Sequence, residues 1–137
     1  MERHFDHDIA EFTQRLLRMG GQAEASVRLA LKALLERNDD LARQTIHEDA
    51  ALDQAEIDID EMGVQLLAKG TLATDLRLII VGLKISQDLE RVGDEATTIA
   101  RRAIELSQQP QLKPYVDIPR MGAMALDMLA AALDAFV

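Results

Sequence analysis

Apolar and small residues recur along the first quarter of the chain at alternating steps of four and three positions. This spacing keeps them on one side of a helix with 3.6 residues per turn. It predicts a first helix over about residues 5–37 that packs in a bundle. Gly20 and Gly21 interrupt the helix, either as tolerated glycines or as a bend or a close helix contact. The stripe consists of Phe5, Ile9, Phe12, Leu16, Met19, Ala23, Ser26, Ala30 and Leu34.

Two short polar segments interrupt the helical pattern further along. Asn38, Asp39 and Asp40 provide a residue that tolerates a left-handed backbone, followed by a candidate N-cap. Lys69 and Gly70 end the next segment in a similar way. These breaks predict a second helix over about residues 40–68 and a third that ends near residue 107. We therefore predict an antiparallel three-helix bundle over residues 1–108.

All 3 prolines fall between residues 108 and 119. Since proline cannot continue a helix interior, residues 109–118 are predicted to form a linker, and Pro119 suits the first turn of a fourth helix. This helix is strongly apolar and has no evident partner in a finished three-helix unit. We therefore expect residues 119–137 to begin a second helical repeat that is incomplete here, or to pack on another subunit. The first possibility makes the chain a fragment of a longer two-repeat protein.

Composition strengthens the prediction of an all-α fold and narrows the function. Hydrophobic residues make up 48% of the chain but aromatic residues only 3%, so the core must be aliphatic, which suits helix-on-helix packing. A net charge of -9 disfavours direct nucleic-acid binding. There is no secretion signal, no cysteine and no apolar run long enough to span a membrane. We expect a cytoplasmic protein without a transmembrane segment.

Carboxylates line one side of the second predicted helix and form a pair in the third. Glu90 and Asp94 are four residues apart, so their Cβ atoms lie about 6 Å apart, and like charges at this spacing destabilise an isolated helix by about 0.2–0.5 kcal/mol. The pair calls for a compensating cation, either Arg91 or a metal ion. The carboxylates of the second helix fall within a sector of roughly 60°. They are Asp49, Asp53, Glu56 and Asp60.

These carboxylates converge if the two helices are neighbours, because packed helices lie about 8–10 Å apart. An all-oxygen set suits Fe, Mn, Mg or Ca, whereas the missing cysteines and sparse histidines argue against structural zinc. The spacing by itself fits a solvated acidic helix face at least as well.

Two motifs lie on the third helix. Thr74-Asp75-Leu76-Arg77-Leu78 is followed by Asp88-Leu89-Glu90-Arg91-Val92-Gly93-Asp94-Glu95-Ala96. Together they closely resemble the signature of the PhoU family, which has Asp-Leu-Arg and then Leu-Glu-Arg-x-Gly-Asp-x-Ala on one long helix. The Met19-Gly20 step, the acidic stretch 49–61 and the helix start at Pro119 are also similar to PhoU sequences.

The resemblance implies two similar three-helix bundles, of which this chain contains the first and the beginning of the second. In some family members, clusters of iron or other metals sit on a Glu/Asp-x-x-x-Asp motif, which Glu90 and Asp94 match. Asp49, Glu56 and Asp60 lie where the family has acids in its second helix, and Asp53 joins the set. The resemblance thus implies metal cofactors, Fe or Mn in the first place and Mg or Ca otherwise.

The function implied by the resemblance is regulation. The chain is expected to be a homodimeric adaptor that represses the phosphate-starvation response when phosphate is plentiful. It would do so by contacting the ATPase subunit of the Pst phosphate transporter and a PhoR-type sensor histidine kinase, at the inner face of the membrane. Asp75 and Arg77 of the first motif are candidate partner-binding residues, although Asp75 also suits the dipole at a helix start. The resemblance implies an adaptor without enzymatic activity, and the lack of a Gly-rich phosphate-binding loop agrees with the absence of phosphoryl-transfer chemistry.

Two other functions compete with this interpretation. A ferritin-like di-metal carboxylate enzyme would also use acids on bundle helices, but it would carry Glu-x-x-His motifs, and the sequence has none. A purely structural oligomerisation module would explain the helical periodicity equally well. It would not explain why both motifs occur together at the spacing of the family.

Overall fold

The computed structural model describes residues 2–136, which form four helices. They are α1 (Glu2–Glu36), α2 (Asp39–Ala68), α3 (Ala73–Ser107) and α4 (Asp117–Phe136). Across this described range helices are the only regular structure, so the predicted all-α fold class is confirmed. The first three helices pack against one another in an up-down-up bundle. None of the four is both long enough and apolar enough to cross a bilayer.

The turn between α1 and α2 differs in detail from the prediction. Arg37 rather than Asn38 takes the left-handed conformation, with φ of 53°. Asn38 is itself the N-cap, because its Oδ1 accepts hydrogen bonds from the backbone N–H groups of Asp40 (3.0 Å) and Leu41 (3.2 Å). The Arg37 guanidinium donates hydrogen bonds to the carbonyl oxygens of Leu106 and Gln109, which ties this turn to the end of α3.

The core divides into two parts along the bundle. One part contains large side chains, among them Phe12, Leu16 and Leu52, which are almost completely buried. Gly82 of α3 lies directly against the ring of Phe12, so α1 and α3 approach closely there. The other part is built from six alanines, which let the helices approach without large side chains: Ala30, Ala33, Ala42, Ala96, Ala100 and Ala103.

The fourth helix has a partner, contrary to the expectation of a helix without one. α4 packs antiparallel along α1. Two contacts show this direction: Gly20 lies against Leu133, and Gly122 lies against Leu31. A Cβ at Gly20 or at Gly122 would lie 2.7 Å from the neighbouring leucine, so the absence of a side chain permits the contact. Gly20 is thus a close helix contact, and α1 continues through both glycines. The opposite side of α4 exposes Met121, Met124 and Met128.

Candidate metal site

The candidate site lies where α2 and α3 approach most closely. Gly93 of α3 is buried against the side chain of Leu52 of α2, and any Cβ at Gly93 would collide with it. The same hypothetical Cβ would lie 3.1 Å from Oδ1 of Asp49. The missing side chain at Gly93 therefore sets the separation of the two helices and brings their acids together.

Three carboxylates meet at this contact, and they are called the carboxylate cluster below. Asp49 and Asp53 come from α2 and Asp94 comes from α3, and one oxygen of each lies within 4.8 Å of the others. Oxygen ligands bind Ca²⁺ at about 2.3–2.6 Å, so oxygens around one ion are separated by no more than about 5 Å. The three acids are therefore close enough to share a single ion after small side-chain adjustments.

Asp49 carries the clearest sign of a missing partner. Its Oδ1 is buried and finds no hydrogen-bond donor among the described residues. A buried carboxylate oxygen without a donor is costly. Burial raises the pKa of Asp49, the negative charges of Asp53 and Asp94 raise it further, and the positive charge of Arg101 lowers it. A cation in the cluster would supply the missing interaction.

A recess of about 440 Å³ adjoins the cluster and is called the acidic recess below. Asp53 belongs to both the cluster and the recess. Glu56 is half-buried there, and its pKa is raised by burial and by the charges of Asp53, Asp60 and Asp94. The recess is lined by Asp53, Glu56, Ile57, Asp60, Glu61 and Glu90.

Glu90 is the most strongly perturbed acid of the recess. Burial raises its pKa to about 7, with further contributions from a hydrogen bond to Asp94 and from the charges of Asp94, Glu56 and Asp53. Glu90 is therefore partly protonated near neutral pH, and its protonated form donates a hydrogen bond to Asp94. Metal binding at neutral pH would displace this proton.

The metal-free chain should lose stability as the pH rises from about 5 to about 8. Glu90 has a pKa of about 7 in the fold, against 4.5 when unperturbed, so the folded state binds the proton more tightly. The stabilisation by this proton is complete at low pH and is lost as the pH rises through 4.5 to about 7. We expect a loss of about 1 kcal/mol, since solvent in the recess screens part of the effect.

Urea denaturation in the presence of a chelator, at the two ends of this pH range, measures the difference. Glu90→Gln cannot titrate and should flatten the pH dependence, whereas Glu95→Gln, on the exposed side of α3, should keep it. An unchanged slope in Glu90→Gln would show that another group is responsible.

The structure thus brings together the six acids that the sequence singled out, in two adjoining groups. The acids of the cluster are Asp49, Asp53 and Asp94, and the recess adds Glu56, Asp60 and Glu90. Glu61 of the recess was missed, because it lies at the edge of the acidic stripe of α2. The sequence feature that could have identified Glu61 was its position next to Asp60.

Of the two cations considered for the acidic pair, Arg91 lies instead beside Asp88. Arg91 Nη1 lies 3.8 Å from Oδ1 of Asp88, and both side chains are exposed. The positive charge of Arg101 acts on Asp49 of the cluster, where it partly offsets the rise in the pKa of Asp49. The sequence contained a signal for this, because Arg101 follows Asp94 by seven residues, two helical turns, on the same side of α3.

Asp75 and Arg77 lie apart from the cluster. They belong to the first two turns of α3, and 15 residues separate Asp75 from Glu90, about 22 Å along the helix. Asp75 is half-buried and lines a separate cavity of about 760 Å³ together with Phe5, Lys69 and Leu72. Arg77 is exposed. A partner-binding role for the two residues stays a prediction.

The fold and the site together define a class: all-helical bundle proteins with carboxylates gathered between two long helices. The PhoU domain, as a protein family, matches residues 16–103, which is more than half of the chain. The chain belongs to the PhoU family.

Similar proteins of this family are known from several bacteria. The phosphate-specific transport system accessory protein PhoU homolog of Pseudomonas putida is 42% identical over 99% of this chain. The homolog of Pseudomonas aeruginosa is 39% identical over the same share. The aligned region covers 54% and 57% of these two proteins, respectively. The chain thus spans a little over half the length of the curated relatives that it matches, and its division into repeats stays a prediction.

Two solved structures support the same fold. The crystal structure of PhoU from Pseudomonas aeruginosa matches with a TM-score of 0.92 and 40% identity, over 96% of this chain and 64% of that one. The phosphate transport system regulatory protein PhoU from Streptococcus pneumoniae matches with a TM-score of 0.86 and 30% identity, over 96% and 62%.

Proposed function

We propose that this chain is a metal-binding adaptor that regulates phosphate uptake and phosphate-starvation signalling. It represses the response when phosphate is plentiful, through contacts with the ATPase subunit of a Pst phosphate transporter and with a PhoR-type sensor kinase. The family supports this proposal, since the relatives are named accessory proteins of phosphate-specific transport. The proposal includes a homodimer in the cytoplasm, held at the membrane by its partners, without an enzymatic activity.

The convergence of Asp49, Asp53 and Asp94 within 4.8 Å is the observation that carries the metal part of the proposal. The buried Oδ1 of Asp49, which lacks a donor among the described residues, supports it independently. A cluster made of oxygen ligands from two helices fits Fe, Mn, Mg or Ca. A bound ion would neutralise acids on both helices and so hold α2 and α3 together.

The alternative of a ferritin-like enzyme gains no support from the site. Such enzymes combine glutamates with histidines on bundle helices. Within residues 2–136, the groups of potential metal ligands contain aspartates alone. We therefore keep the adaptor as the single proposed function.

The experiment that tests the proposal loads the chain with Fe or Mn, removes free metal, and measures bound metal and partner capture in the same sample. The parent should retain metal and capture the transporter ATPase or the sensor kinase. Glu90→Ala/Asp94→Ala should retain at least tenfold less metal, because the variant lacks both Asp94 of the cluster and Glu90, which forms a hydrogen bond to Asp94. Equal metal in both proteins, each shown to be folded by circular dichroism, would refute the metal site.

Capture is scored separately from metal content. A version of the chain that carries a complete second bundle serves as the positive comparison, because the relatives are longer than this chain. If neither version captures the ATPase or the kinase, the adaptor role is refuted, whatever the metal content.

A further inference from the structure

An exposed apolar strip runs along the outer edge of the contact between α2 and α3. Monomeric proteins rarely expose contiguous large aliphatic side chains without a function. The strip begins at the acidic recess, which Ile57 also lines, reaches the loop before α3 and continues into the first turns of α3. Its members, with their exposed fractions, are Ile57 (51%), Val64 (56%), Leu72 (78%), Leu76 (39%) and Ile80 (41%).

Helical geometry shows that these side chains share one edge. Gly63 of α2 packs against Leu83 of α3, which marks the sides of the two helices that face each other. At 100° per residue, the side chains of Leu76 and Ile80 are rotated about the axis of α3 by about 20° and 60° from Leu83, on the side away from the core. By the same count, Val64 lies about 100° from Gly63, again away from the core.

The strip and the acidic recess adjoin at Ile57, which lines the recess together with Glu90. One end of this surface is therefore apolar and the other is strongly negative. Such a surface complements a ligand that is apolar along one side and positively charged at one end. Anionic lipids and nucleic acids do not fit it, because the acids repel phosphates.

A second copy of the chain fits less well than a basic partner. The net charge of -9 makes two copies repel each other at long range. The acids of the recess would also have to meet basic groups of the other copy in register.

We propose that the apolar strip and the acidic recess together bind a basic amphipathic helix of a partner protein. From Ile57 to the end of α2 at Ala68 the strip spans about 11 residues, or about 17 Å, which corresponds to roughly three turns of a bound helix. Apolar side chains of that helix pack on Val64 and Ile80, while its Lys or Arg residues enter the acidic recess. This proposal rests on the adaptor function proposed above and names the surface that serves it, but it needs no metal ion.

The probes are two labelled 18-residue peptides that share the same leucines at helical spacing. The remaining positions are lysine in one and glutamate in the other. Fluorescence anisotropy with the parent chain and a chelator should show binding of the lysine peptide and at least tenfold weaker binding of the glutamate peptide. No binding of the lysine peptide, or equal binding of both, would overturn the proposal.

Adjacent residues of α3 provide the matched control. Ile80 lies on the strip, whereas Val81 is similarly exposed (46% against 41% for Ile80) but points about 160° away from Leu83. Ile80→Ser should weaken binding of the lysine peptide about tenfold, the size expected for one large aliphatic contact, and Val81→Ser should leave it unchanged. Equal weakening by both variants would overturn the assignment of the strip.

The acidic end is tested with Asp60→Asn/Glu61→Gln, which lie in the recess outside the carboxylate cluster. This double substitution should weaken binding of the lysine peptide severalfold and reduce the salt dependence of that binding. Glu95→Gln should change neither the affinity nor its salt dependence. Unchanged salt dependence in the double variant would overturn the role of the recess.

Two further outcomes separate the possible occupants. If sedimentation shows a dimer of the parent that Ile80→Ser dissociates, a second copy covers the strip and the proposal is wrong. If Ile80→Ser still captures the transporter ATPase or the kinase at the parent level, the adaptor function survives and this surface is excluded.

Discussion

Mn²⁺ at about one hundred times its dissociation constant should raise the free energy of unfolding of the chain by about 2.7 kcal/mol. This increase follows if the proposed ion binds the folded state and not the unfolded one, because the carboxylate cluster combines residues of α2 and α3 that only the fold brings together. Urea denaturation with Mn²⁺ and with a chelator measures the difference.

Asp49→Asn/Asp94→Asn should abolish this stabilisation, because it removes two of the three charges of the cluster. The metal-free variant should remain folded, since the charges of Asp53 and Asp94 already raise the pKa of Asp49, which shows mutual repulsion. Glu95→Gln, which keeps the cluster, is the matched control. Equal stabilisation of the double variant and the parent by Mn²⁺ would place the ion elsewhere.

Alanine substitutions of two glycines should have opposite effects on stability. Gly82→Ala should lower the free energy of unfolding by about 1–2 kcal/mol, since its Cβ would lie 2.8 Å from Cζ of Phe12 and closer still to the neighbouring ring carbon. Phe12 is completely buried and cannot move aside. Gly21 has open space around it, so Gly21→Ala should gain about 0.5–1 kcal/mol from helix propensity.

Urea denaturation followed by circular dichroism compares the two variants with the parent. The difference between the two variants should therefore be about 1.5–3 kcal/mol, although both replace a glycine inside a helix. Equal stabilities would mean that α1 and α3 can separate at Phe12 without cost, contrary to the close packing described above.

Helix positions followed from local patterns. The end of α3 at Ser107 and the position of α2 agree with the predicted bounds, because periodicity, polar breaks and prolines act through neighbouring residues. The turn at Arg37 was less predictable. Its left-handed conformation is accompanied by hydrogen bonds from the side chain to the distant end of α3, which no local pattern contains.

The candidate site was predictable as a set of residues but not as a geometry. Helical spacing placed Asp49 and Asp53 on one side of α2, and the family motif singled out Glu90 and Asp94. Whether the two sets meet depends on Gly93 and Leu52, whose contact fixes how closely the helices approach. The charge of Arg101 acts on Asp49, while Arg91 lies beside Asp88, and such pairings depend on rotamers and neighbouring helices.

By itself, the sequence determined the four helices, the aliphatic core and the family, because these depend on residue type and on spacing along the chain. Only the tertiary structure decided the position of α4 against α1, the convergence of the three aspartates, and the exposure of Ile57 in the acidic recess. These features depend on distances between residues that are far apart in sequence. Close contacts at glycines, such as Gly20 with Leu133 and Gly93 with Leu52, set those distances.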